Sequence, residues 1–232
     1  MQLTRHEIDN FVRWNPASER GHYESFFLKA NDPQSRRALW LKFTILSPVD
    51  QPDHAVSEVW AIAFDGDRDH HVAVKRRQPV ERSKLGFNRF ALQMADCELA
   101  PARTKGSIER GAHRVEWDLT FLTEQQESLH PFPFERMYEM GFPKAKLKTP
   151  YPDSRFNGRV RVDGEEWTLE YWKGMQGHNW GVRHTDHYLW LHCNAFDGLD
   201  DTYLEGASAK LKLGPVHTPY LTFFCLVHRG KR

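Results

Sequence analysis

The chain has 232 residues, enough for one large all-β domain or two modest ones with a genuine core. Lys plus Arg number 32 and Asp plus Glu 31, so the net charge of +1 offers no global electrostatic case for nucleic acid or an anionic membrane, and any partner must be recognised locally. Three widely spaced cysteines (Cys97, Cys193, Cys225) without a C-x-x-C argue for reduced thiols rather than a disulfide framework. The start MQLTRHEIDN lacks an apolar h-region, and no run approaches the roughly 18 apolar residues of a membrane helix. These features predict a soluble cytoplasmic protein with no transmembrane segment, open to transient membrane contact; they fix no oligomeric state. Eight Trp and 15 Phe suffice to line a cavity, although an aromatic-rich β core would read the same way.

The first predicted element is a short N-terminal helix. Thr4 and Glu7 form a capping box, Leu3 and Ile8 can staple around it, Ile8, Phe11 and Val12 share a face, and Asn15-Pro16 ends it. From there the period changes to two. Strands are predicted at 22–30, 38–46, 55–64, 71–75, 87–99 and 113–122, the second of them apolar on both faces in places. FDGDRDH spaces Asp65, Asp67 and Asp69 as in an EF-hand, but His70 and Arg76 stand where that loop needs Gly and Glu; a solvated hairpin loop is expected. KRRQPVERSK (75–84) reads as another solvated loop.

HPFPFERMYEMGFPKAKLKTPYP (130–152) holds five prolines, which argues against an interior strand and for a long connection packed over a barrel opening or between sheets. This divides the chain into a first β module (1–130), a connection (131–155) and a second β module (156–232), with one continuous barrel carrying a long Ω-like loop as the alternative. Asp163-Gly164 marks a tight hairpin, and further strands are predicted at 187–196, 202–213 and 219–228. The fold class is therefore all-β, with roughly ten strands. Nucleotide-binding glycine loops and the G-x-S-x-G elbow are absent from the sequence.

The segment 171–196, YWKGMQGHNWGVRHTDHYLWLHCNAF, concentrates the chemistry. Alternation along 187–196 places Tyr188, Trp190, His192, Asn194 and Phe196 on one face, better suited to a ligand-pocket wall than to plain core because each buried polar atom needs a partner. His187, Leu189, Leu191, Cys193 and Ala195 take the other. Zinc on His184, His187 and His192 with Cys193 is disfavoured, since residues 192 and 193 point to opposite faces and the spacing matches no strong motif; no metal and no cofactor is predicted. A Cys193 nucleophile lacks a base within reach on its own face. Upstream, GMQGHNWG frames His178, Asn179 and Trp180 with glycines that permit a bulge, a sharp corner or close approach.

GMQGHNWG followed by YLWLHCNAF, together with GHYESFFLKAND and LWLKFTIL, resembles the lipocalin-like superfamily of carotenoid 1,2-hydratases, tocopherol cyclases and fungal Diels–Alderase relatives. The resemblance implies consecutive lipocalin-like β-barrel modules. Two full modules need a longer chain, so either the second is abbreviated or the chain is a fragment. In the hydratases the box His and Trp and a downstream Tyr-x-Asp line the reaction site; here these match His178 and Trp180 with Tyr203 and Glu205, Glu replacing Asp. The catalytic set so implied is His178, Trp180, Tyr203 and Glu205. A protonated Glu205 would donate to an alkene, Trp180, Trp190 and Tyr203 would stabilise the cation, and His178, with His192 or Asn194 as alternatives, would orient the attacking oxygen. The expected function is binding of an extended apolar, isoprenoid or lipid-like molecule with acid-initiated cyclisation or hydration. Non-catalytic carriage of such a molecule is the alternative, and an exposed turn carboxylate is the alternative for Glu205.

Overall fold

The structure is a computed structural model describing residues 3–125 and 127–232. After helix α1 (Arg5–Asp9) come β1 (Arg20–Asn31), β2 (Arg37–Val49), β3 (Val56–Asp65), β4 (His70–Pro79), β5 (Lys84–Leu85), β6 (Leu92–Met94), β7 (Cys97–Ala100), β8 (Arg103–Arg110) and β9 (His113–Leu122). The second half contributes β10 (Ala145–Val162), β11 (Glu165–Gly181), β12 (His187–Cys193), β13 (Thr202–Lys210), β14 (Lys212–Leu213), β15 (Val216–His217) and β16 (Leu221–His228). Eleven strands form one antiparallel sheet in the order β4-β3-β2-β1-β11-β10-β9-β8-β7-β6-β5. It curls into a half-barrel, bringing β3 and β4 against β8 and β9 without a hydrogen-bonded seam. A three-stranded sheet, β12-β13-β16, lies outside the curl, and β14-β15 is a small hairpin.

Strict alternation builds the concave core. On β9 Val115, Trp117, Leu119 and Phe121 are buried, while Arg114, Asp118 and Thr120 face water. Phe26, Leu28, Leu41, Phe43 and Ile45 of β1 and β2 join the same core. Asp163-Gly164, both at positive φ, makes the expected β10–β11 hairpin.

Several expectations are corrected. The segment 87–99 is a hairpin, not one strand, because Ala95 and Asp96 take positive φ between β6 and β7. Strand β8 was not foreseen; ARTKGSIERG lacks apolar alternation, and Gly106 is needed there because a Cβ would strike the Trp117 ring at 2.4 Å. Helix α1 has its capping box, but Leu3 and Ile8 are exposed and the buried residues at its end are Asp9 and Asn10. The proline-rich segment does contain an interior strand: β10 runs between β9 and β11 and includes Pro150 and Pro152. The β10–β11 register shifts between Lys148 and Tyr151 and again between Tyr151 and Ser154, so the prolines sit at bulges where no ladder N–H is missed. GMQGHNWG is not a corner. It lies inside β11, paired to β1 and β10, and its glycines serve close packing: a Cβ at Gly174 would meet the Lys29 carbonyl oxygen at 1.9 Å, and one at Gly177 the Phe27 ring at 2.4 Å. Strand β12 ends at Cys193, leaving Asn194 and Phe196 outside it.

Candidate functional site

Because neighbours on β11 point to opposite faces, the motif HNW serves two places at once. His178 is opposite Phe26 and faces the core, stacked on that ring at 4.1 Å between centroids. Asn179 faces outward, toward the three-stranded sheet. There an apolar cavity of about 430 Å³ separates the two sheets. Tyr23, Phe27, Trp40, Leu147, Trp190 and Phe223 form much of its wall. Phe27 and Trp40 stack at 5.4 Å, and Trp190 meets both edge-on at 5.6 and 6.0 Å. Phe132, Met137, Phe142 and Pro143 of the proline-rich segment close one side, so the apolar part of that segment covers an opening as its composition suggests. Tyr188 and Leu221 stand at the rim, 56% and 52% exposed.

The small sheet turns Tyr188, Trp190 and His192 of β12, and Tyr203, Glu205 and Ala207 of β13, toward the large one, by the pairings Trp190 with Ala207 and His192 with Glu205. It is docked by polar contacts: Lys29 Nζ donates to the His192 carbonyl at 2.7 Å, and Asn194 Nδ2 donates to Asp153 Oδ1 and the Gly174 carbonyl, both at 2.8 Å. His192 is buried, its Nε2 bonded to the Pro152 carbonyl at 2.7 Å. Burial and the Lys29 charge push its pKa down to about 3, against the opposing Pro152 hydrogen bond, so this imidazole is neutral. Of the five predicted pocket residues, Tyr188 and Trp190 line the cavity, His192 and Asn194 seal the sheet interface beside it, and Phe196 is half-buried in the following loop.

Glu205 is fully buried, not an exposed turn carboxylate. Trp190 Nε1 donates to its Oε1 at 3.0 Å, and Thr149 Oγ1 lies 2.9 and 2.7 Å from its two oxygens. Burial pushes its pKa up, opposed by the Thr149 and Trp190 hydrogen bonds and the Lys29 charge. Trp190 thus bridges the acid and the cavity: its ring faces the empty space and its N–H holds Glu205. Tyr203, beside it on β13, is buried against Leu129, Cys225 and Val227.

His178 is spent elsewhere. Its Nδ1 donates to the Asp9 carbonyl at 2.7 Å and its Nε2 to Glu24 Oε1 at 2.8 Å. Glu24, also fully buried, accepts further from the Arg13 and Trp14 backbone N–H groups at 2.8 and 2.9 Å and from His22 at 2.9 Å. Burial alone would raise the Glu24 pKa, but the His178 and His22 hydrogen bonds and charges hold it at about 2. Trp180, 4.7 Å from His178, lies under Arg13 at one end of the cavity. The structure therefore groups Trp190, His192, Tyr203 and Glu205 on one sheet and leaves His178 on the opposite side of β11. His184, His187 and His192 do not converge: His184 packs on Tyr23 and Tyr188, and His187 on His217.

Sequence reasoning missed Glu24, Phe27, Trp40, Lys42 and Thr149. The available signal was the apolar character of both faces of 38–46, which a one-layer sheet edge does not need and a second sheet packed outside explains. Among the described residues, no helix is long and apolar enough to cross a membrane.

No protein-family model and no curated protein sequence matches the chain significantly. Among solved structures, a Nitrosomonas europaea protein provisionally named AttH aligns over 91% of this chain at TM-score 0.58 and 11% identity. Kievitone hydratase from Nectria haematococca aligns over 91% of the chain at TM-score 0.49 and 10% identity. The chain spans 66% and 62% of those two proteins' lengths. At such identity the first comparison concerns the fold, which is all-β and lipocalin-like.

Proposed function

We propose that the protein binds an extended apolar, isoprenoid-like or lipid-like molecule in the cavity between its two sheets. The observation that carries this reading is the cavity itself: about 430 Å³ walled by Phe27, Trp40, Trp190 and Phe223, in the size range of small-molecule sites. A merely structural packing of two sheets would interdigitate side chains and leave no such volume. Titration with retinol, an isoprenoid alcohol whose emission is excited by energy transfer from tryptophan, tests it. Saturable binding is expected, abolished by Ala207→Trp, which fills the space opposite Trp190; a wild type that shows no saturable transfer defeats the reading.

Glu205 favours a second reading, in which the bound molecule is transformed. Burial shifts its pKa upward in a dry setting, the direction that acid-initiated addition to a double bond requires. In that reaction the Glu205 proton would pass to an alkene carbon, leaving a carbocation against the Trp190 and Trp40 rings. Water or an internal hydroxyl would then add to it, and a proton would return to Glu205. The Trp190 indole, between acid and cavity, would have to swing for the proton to pass. Mass spectrometry of the co-purified apolar compound, before and after incubation with the protein, separates the readings: a gain of one water or an isomer, lost in Glu205→Gln, supports chemistry, and unchanged compound supports carriage.

A further inference from the structure

The cavity is apolar but not electrically blank. Among the described residues no Asp or Glu lines it, while Lys42 and Lys146 do. Several other part-buried lysines have fixed partners, Lys75 with Glu58, Lys148 with Asp9 and Glu135, Lys173 with Asp200, and Lys29 with the His192 carbonyl. Lys42 is half-buried on β2; its ammonium lies over the face of Tyr23, 5.4 Å from the ring centroid, and no carboxylate among the described residues pairs with it. A ring quadrupole is a weak substitute for a counter-ion. Lys146 is buried, and its ammonium donates to the Pro143 carbonyl. Burial depresses its pKa with no opposing carboxylate.

An apolar molecule entering this space strips water from the half-buried Lys42 ammonium. A neutral ligand leaves that desolvation uncompensated, whereas a ligand carrying its own negative charge offsets it.

We propose that the cavity selects an amphipathic anion, an apolar body with a carboxylate head, and that Lys42 is the residue that binds the head. This rests on the reading that the cavity takes an apolar ligand, and it narrows the ligand class. The experiment compares laurate, methyl laurate and dodecanol as competitors of retinol on the intact chain at low ionic strength. Laurate is expected to bind about tenfold more tightly than the ester or the alcohol, a preference that fades with added salt. Lys42→Met should remove the preference, so that laurate and methyl laurate compete equally in that variant. If the ester or alcohol matches laurate in the wild type, or if Lys42→Met keeps the preference, the anion inference is overturned while apolar binding stands. If none of the three compounds competes and retinol itself does not bind, both readings fall. The wild-type ratio carries the test alone should Lys42→Met fail to fold.

Discussion

Two fully buried glutamates, Glu24 and Glu205, stand on opposite sides of the large sheet and ionise in opposite directions. Glu24 collects four donors, two of them imidazoles, and is held at about 2. Glu205 has one hydroxyl and one indole N–H as its hydrogen-bond partners, and burial prevails. Burial is common to both, so it does not decide the charge; the number and charge of the donors does. The first site is a clamp that ties residues 9–14 to β1 and β11. The second holds its proton more tightly than a free carboxyl group does, behind the Trp190 ring that faces the cavity. His178 and Glu205, joined by the sequence resemblance into one reaction site, belong to these two different regions.

The largest expected effect breaks the clamp. Glu24→Gln keeps the shape but replaces the carboxylate that accepts from four donors by an amide that accepts at one atom only, and should cost about 3 kcal/mol or more in urea unfolding. The pH dependence sharpens the contrast. The folded-state pKa of Glu24 is depressed from 4.5 to about 2, so its contribution is present above pH 4.5 and lost as pH falls through that window. Glu24→Gln should flatten this part of the wild-type stability curve. Glu205 has the opposite sign: its folded pKa lies above 4.5, the folded state holds the proton more tightly than the unfolded, and stability falls as pH rises from 4.5 toward the folded value. Glu205→Gln should therefore cost within about 1 kcal/mol at low pH, and the wild-type decline with rising pH should be missing from it. A Glu205→Gln protein as damaged as Glu24→Gln would erase the distinction. The smallest effect is at the packing beneath the cavity. Gly177→Ala pushes the Phe27 ring outward by its contact at 2.4 Å, and retinol affinity should fall by about fivefold, roughly 1 kcal/mol, with the fold retained by circular dichroism.

Much of the architecture is legible in the residues. The alternation of 113–122, the Asp163-Gly164 turn and the capping box at Thr4 each follow from local chemistry, and each occurs where its pattern lies. The pocket face of β12 is readable too, since Tyr188 and Trp190 alternate with aliphatic neighbours. Less legible was β10. Prolines argue against a central strand unless bulges absorb them, and bulges leave no consistent mark in sequence. The glycines of GMQGHNWG were similarly ambiguous, because a turn and a close approach demand the same residue.

The sequence by itself determined that the chain is all-β and aromatic-rich, and that alternation separates the faces of each strand, because these follow from side-chain period and composition. Only the tertiary structure decided which face meets which. A second sheet packed outside the first converts Phe27, Trp40 and Lys42 from surface positions into a cavity wall, and folds Glu205 against Thr149 from 56 residues away. That pairing is long-range, and so are the donors that set each buried carboxylate's charge; no local pattern of residues encodes either.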